Sequence, residues 1–329
     1  MKHVDIGKIK DFNIKFRPMF GQVITELAEK NRDIFLVLAD SGRACRIDRF
    51  EKCPQQFVDC GIAEQDMVGV AAGLAHCGKK PVTFAFAPFA SERCFEQVRL
   101  DVAYAQTDVV IVGSEGGVGM GTQGVTHFGY DDIGAISSLP GMVILCPADH
   151  IAMIRCLEMA IEYNKPVYLR LNGGVPAPLY GEKTEFSLGG SVIHSLGTDA
   201  NILAAGPIVS AAKKAAEDLK KEGFSIGVID MYSLKPIDSA AVQAACEKAR
   251  LVVSLEEHNV TNGLGSMIAS EIACAGTGNR LVKLGLPDEY PHSVSPYAVM
   301  MEDYGLTTEG VKNTLRQELR GKEYEQCAV

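Results

Sequence analysis

A rhythm constrains this chain more than any single residue. Short apolar runs alternate with longer segments of helical periodicity almost from end to end. The first six runs are IFLVLAD (34–40), FVDC (57–60), VTFAFA (82–87), VVIVGS (109–114), MVILCP (142–147) and PVYLRL (166–171). Strands this continuously apolar are buried on both faces, as in parallel sheets covered by helices. Between them lie amphipathic segments; Phe20, Val23, Ile24, Leu27 and Ala28 fall on one helical face. Strand and helix in alternation predict a doubly wound α/β domain. A stretch rich in Gly, Pro and polar residues follows at 172–189, and then the alternation resumes with NILAAG, SIGVIDM, LVVSLEE and LVKLGLP, each followed by a helical segment. The expectation is two domains, 1–188 and 189–329, each α/β with a mostly parallel sheet, and 329 residues suit two.

Composition narrows the function classes. No run of about 18 apolar residues occurs, so no membrane span is expected, and the polar start MKHVDIGKIKDFNIKFRP lacks a signal-peptide core. The ten cysteines are scattered, none in a C-x-x-C pair, and Cys77, Cys146, Cys156, Cys246 and Cys274 sit inside apolar elements as free thiols would. A reducing cytoplasm is the expected setting. A net charge of −9 argues against nucleic acid as partner.

The stretch Val58 to Arg93 organises the chemistry. It reads as a strand, a helix of small residues from about Ile62 to Cys77, a Gly-Lys-Lys-Pro turn and a buried strand. Glu64 thus stands in a helix's first turn beyond the carboxyl end of a strand, where open α/β sheets bind ligands. An acid there is also an ordinary response to the helix dipole. Gly69 and Gly73, one turn apart, each cost about 1 kcal/mol in a helix interior, so a backbone is expected to approach that face, from this chain's core or from another subunit. Phe86 and Phe89 close the next strand, either as core or as a platform for a flat heterocycle.

GIAEQDMVGVAAGLA, FAPFASER and GTQGVTH, in this order and spacing, resemble the pyrimidine-binding domain of the transketolase family of thiamine-diphosphate enzymes. The resemblance covers essentially the whole chain and corresponds to the second half of a full-length transketolase. It implies that Glu64 hydrogen-bonds N1′ of the aminopyrimidine and shares a proton with it, that Phe86 stacks on the ring and that Phe89 completes the pocket. Asp40 and Ile62 are implied to adjoin the cofactor. His127 and Gln123 map to substrate-facing positions and Arg17 to an anion-reading one. The C-terminal domain is implied to support assembly mainly, and His258 after Glu256 and Glu257 is either a site residue or a solvated or interface histidine.

Gly119-Met120-Gly121-Thr122-Gln123-Gly124 spells G-x-G-x-x-G, but it starts well past the strand end and opens no helix, which disfavours dinucleotide binding. The family's G-D-G…N motif for the Mg²⁺-bound diphosphate is absent from the 329 residues. The resemblance therefore implies a second polypeptide, an N-terminal transketolase subunit that carries this motif and most of the hold on Mg²⁺ (or Ca²⁺), in an α2β2 assembly. No metal ligand is assigned to this chain. Gln123 replaces a common Asp, and Gly173 replaces an Arg that grips sugar phosphates in many relatives. Arg43, Arg46 and Arg49 follow the Asp40 strand; they either pair with Asp48 and Glu51 at the surface, or Arg43 or Arg46 joins Arg17 in reading a terminal phosphate or sulfonate. The expected function is transfer of a two-carbon ketol unit between sugars. A two-oxoacid dehydrogenase β-subunit and a non-catalytic assembly partner are the alternatives.

Overall fold

The computed structural model describes residues 3–9, 11–45, 52–291 and 294–326. Arg46, Arg49, Asp48 and Glu51 lie outside the described residues. Twelve strands among them form two sheets. In chain order they are β1 (Ile34–Leu38), β2 (Phe57–Asp59), β3 (Lys80–Phe86), β4 (Val110–Gly116), β5 (Val143–Leu145), β6 (Val167–Asn172), β7 (Val192–Ser195), β8 (Ala200–Ala204), β9 (Ile226–Asp230), β10 (Ser233–Lys235), β11 (Leu251–Asn259) and β12 (Arg280–Leu286). The first sheet has the order β10-β5-β6-β4-β3-β1-β2 and the second β12-β11-β8-β9-β7. All pairings are parallel except β10 on β5 and β7 on β9. Every residue of β4 and β6 is buried, the polar Ser114, Glu115, Arg170 and Asn172 among them.

The sequence does not announce β10. It belongs to the second half of the chain, yet it adds an edge to the first sheet. Lys235 at its end reaches over to the carbonyls of Ser137 and Leu139 at 2.7 and 2.6 Å, closing the C-terminal end of the short helix Asp132–Ser137, where a cation suits the helix dipole. One apolar core follows from this, running from Val68, Ile111 and Ile144 to Leu203, Ile229 and Leu264.

The chain passes from β1 outward to β2, then returns to lay β3 on β1's other side. A crevice forms where the winding direction reverses, at the carboxyl ends of the strands. The helix α1 (Phe16–Lys30) leads into β1, and α2 (Glu64–His76) connects β2 to β3. The segment after Phe89 departs from a plain helix: turns at 91–94 lead to a π-helix over Val98–Tyr104. Added Cβ atoms at Gly69 and Gly73 would meet nothing within 4 Å, so the backbone approach expected on that face does not come from this chain's own core. Ile62, Leu100 and Tyr104 are exposed nearby in sequence and packing. No described helix is long and apolar enough to cross a membrane. Cys77, Cys146, Cys156, Cys246 and Cys274 are free thiols, the first and last of them exposed at helix ends.

Candidate active site

Four loops converge at the carboxyl edge of the first sheet. Asp40, just beyond β1, has a left-handed φ of 53°, and its N–H donates to Asp59 Oδ1 at 2.9 Å. For a residue with a Cβ this conformation is uncommon, and such outliers gather at functional sites. Ile62, before α2, is 78% exposed. Glu64 opens α2 and is 6% exposed, with no hydrogen-bond partner among the described residues. A charged neighbour is Arg93, whose Nη1 lies 3.7 Å from Oε2.

Arg93 links that carboxyl to the aromatic wall, since its guanidinium carbon stands 4.8 Å from the Phe89 ring centre. Phe89 lies edge-on to Phe86 at 6.1 Å, and His127 is 5.2 Å from Phe89 and 5.9 Å from Phe86. Three rings thus close one corner of the crevice. Neither Phe is sealed in the core; both are half-buried. Arg17 from α1 also stands over Phe86, 5.6 Å from the ring centre. Its Nε lies 2.7 Å from Oε1 of Glu115, and Lys15 Nζ is 3.9 Å from Oε2. Glu115 is buried at the end of β4 with φ 55°, and burial pushes its carboxyl up against the pull of Arg17 and Lys15.

His127 reaches the rings from a loop that leaves β4 at Gly116. Two three-residue turns, Gly121–Gln123 and Val125–His127, shape it, and no helix opens there, in keeping with the weak dinucleotide signal. Gln123 is exposed, and His127 Nδ1 pairs with the Thr126 hydroxyl at 2.9 Å. Arg43 is exposed in the turn Gly42–Cys45. Arg46 lies outside the described residues. Gly173 faces Gly119, not open space: a Cβ on it would stand 2.2 Å from the Cα of Gly119.

The structure therefore brings together Glu64, Phe86, Phe89, His127 and Arg17, and adds Arg93, Glu115 and Lys15. Arg93 was within reach of a sequence reading, four residues after Phe89 in the same block. Arg170 is fully buried, its Nε on Asp132 at 2.9 Å and Tyr168's hydroxyl on the same carboxylate at 2.7 Å. It is a structural pair. His258 is not solvated but wholly buried, with Nε2 accepting the Ile133 N–H at 3.2 Å and Nδ1–H donating to Asn259 O at 2.9 Å. Burial lowers its pKa to about 4, so the ring is neutral.

Comparison with known proteins bears directly on this geometry. A family model for the transketolase pyrimidine-binding domain matches residues 13–174, and one for the transketolase C-terminal domain matches 189–311. An apulose-4-phosphate transketolase subunit of Phocaeicola vulgatus is 37% identical over 92% of this chain and 96% of its own length. The chain belongs to the transketolase family. The 6-deoxy-6-sulfo-D-fructose transketolase subunit of Clostridium sp. is 34% identical, covering 90% of this chain and 91% of that protein. A solved structure described as a split gene transketolase, inactive beta4 tetramer, superposes with a TM-score of 0.83 at 32% identity, over 94% of this chain and 99% of that one. Transketolase-family enzymes are transferases that use thiamine diphosphate with a divalent metal, and this chain's two α/β units are those of the pyrimidine-binding and C-terminal domains.

Proposed function

We propose that this transketolase-family chain is the subunit that holds the pyrimidine half of a split thiamine-diphosphate site and moves a two-carbon ketol unit from an anionic ketose to an aldose. One observation carries the reading. A nearly buried carboxyl with no hydrogen-bond partner among the described residues, Glu64, shares the crevice with the rings of Phe86, Phe89 and His127. Its ion pair with the half-exposed Arg93, at 3.7 Å, is too long for a hydrogen bond, so the carboxyl keeps the capacity to bond a ring nitrogen. Flat aromatic faces beside it suit a heterocycle.

Thiamine diphosphate, when bound, supplies the carbanion-stabilising centre that a ketol transfer needs. Glu64 holds and shares a proton at N1′ of the pyrimidine. Phe86 and Phe89 fix the plane of the ring and exclude water, with Asp40 and Ile62 flanking it. His127 and Gln123, on the β4 loop, face the sugar. The diphosphate and its Mg²⁺ or Ca²⁺ fall to an N-terminal transketolase subunit carrying G-D-G…N, in an α2β2 assembly. The exposed face of Gly69, Gly73, Ile62, Leu100 and Tyr104 supports such an assembly. The division between the two units is placed at 188/189, and the free thiols support a cytoplasmic setting.

For the terminal anion, Arg43 or Arg46, together with Arg17, is the proposed reader of a phosphate or sulfonate, since a guanidinium fork suits either. The test combines this chain with its partner subunit and measures kcat/KM for phosphorylated, sulfonated and neutral ketoses, for the native complex and for Arg43→Ala and Arg46→Ala. The proposal requires ketol transfer only when both subunits are present, and a selective rise in KM for the anionic ketoses in the variants. Equal small effects on all three ketoses would return these arginines to the solvated surface.

A further inference from the structure

The C-terminal half of the chain reaches into the site through one residue. Strand β11 ends in Glu256, Glu257, His258 and Asn259, all buried. The carboxylate of Glu257 sits at the root of the loop that carries Gln123 and His127. Its Oε1 accepts the Val118 N–H at 3.0 Å, while Oε2 accepts Asn172 Nδ2 at 3.1 Å and the Tyr297 hydroxyl at 2.9 Å. A Cβ on Gly117, whose φ is +71°, would lie 2.3 Å from Oε1, so glycine is what admits the carboxylate there.

The loop's other end is tied to the same residue. Arg170 Nη2 donates both to Gly129 O at 2.7 Å and to the Glu257 carbonyl at 3.0 Å. Directly beyond, Asn259 N–H donates to Tyr130 O at 2.8 Å. Both feet of a loop in the first half of the chain thus hang on Glu257, a partner 139 residues from Val118. Gly117 and Gly129 are paired across the neck, so the span between them is held as a unit, and His127 lies within it against Phe86 and Phe89.

We propose that Glu257 is a positioning residue for the transfer reaction, its carboxylate setting the pose of the Gln123–His127 loop over the aromatic wall through Val118, while its main-chain carbonyl shares Arg170 with the loop's other end. It acts through the loop and touches no reacting atom. The inference rests on the preceding reading of His127 for its catalytic consequence, but not for its structural one. Glutamine cannot replace the carboxylate fully: with one oxygen and one NH₂, either orientation sets a donor against a donor. Misplacement of a reacting group by about 1 Å can cost on the order of 10²-fold in rate.

The test has two arms. Hydrogen exchange on the chain alone compares wild type with Glu257→Gln. Faster exchange by about ten-fold or more in 117–129, with the helix Val209–Lys221 unchanged, is the expected result, and wild-type exchange in 117–129 overturns the proposal whatever the fate of the cofactor reading. In the two-subunit complex, Glu257→Gln should lower kcat by about ten-fold or more with a smaller change in KM. Combined with His127→Ala it should cost little beyond His127→Ala alone, because the two act as one unit. Fully additive losses would make Glu257 a residue of general stability and overturn the proposal. Tyr297→Phe, which removes one of the three donors, is the milder variant should Glu257→Gln fold poorly, and it must show the same pattern at smaller size or the proposal fails.

Discussion

Gly119 and Gly173 pass each other so closely that a Cβ on Gly173 would stand 2.2 Å from the Cα of Gly119, and one on Gly119 2.8 Å from the Cα of Gly173. The two glycines fit each other. Position 173 is therefore not an arginine site that has merely lost its side chain; the β4 loop has closed over it. Gly173→Arg should lower Tm by several degrees, since forced overpacking against backbone costs about 1–3 kcal/mol. It should also leave KM for a phosphorylated ketose no better. A variant with native Tm and a lowered KM would show that the loop yields and that the anion grip can be restored.

Asp230 is a second place where burial dominates. Its carboxyl is fully buried, one oxygen accepts the Tyr180 hydroxyl at 2.6 Å, and the other has no partner among the described residues. Burial raises its pKa from 3.8 to about 8, with Asp149 adding to the rise and the Tyr180 hydrogen bond opposing it. Because the folded value lies above the unfolded one, its contribution is fully present below about pH 4 and lost as pH rises through 8. Asp230→Asn cannot ionise. Its stability relative to wild type should rise between pH 5 and pH 8, by at most about 1.4 kcal/mol per pH unit. Thermal melts of both proteins across that range check this, and a constant difference would mean that Asp230 is charged in the fold throughout.

Residues whose position is set locally were legible in the sequence. Glu64 follows from a strand end and a helix start, and Phe86 and Phe89 from the end of an apolar strand, all within one continuous block. Contacts made across the fold were not. Nothing near Val118 announces a carboxylate from β11, and a three-residue strand such as β10 carries too little pattern to reveal which sheet it joins. The packing partner of Gly69 and Gly73 was also out of reach, because glycine spacing indicates that a close approach is possible and not what makes it. Arg93 escaped for a smaller reason. It lies in the turns at 91–94, whose irregular backbone sets its guanidinium beside both Glu64 and Phe89, a placement that no helical or strand pattern encodes.

The split site predicts a binding deficit. Alone, this chain offers a ring pocket and a carboxyl but no G-D-G…N segment for a metal-bound diphosphate. Calorimetric titration of the single chain with thiamine diphosphate should give no tight, Mg²⁺-dependent binding, and such binding should arise when the partner subunit is added. Micromolar, Mg²⁺-dependent binding to the chain alone would contradict a divided site.

The central claim is that Glu64 is the proton-sharing acid of the site, and Glu64→Gln in the two-subunit complex tests it most directly. The amide keeps the size and can still hydrogen-bond a ring nitrogen, but it has no carboxyl proton to share. Assembly, read by size-exclusion chromatography, and Tm should stay native, while ketol transfer falls by ~10²–10⁴-fold, the usual contribution of general acid–base catalysis. A variant complex that assembled normally and kept more than about a tenth of the native rate, far above that range, would contradict the assignment of Glu64.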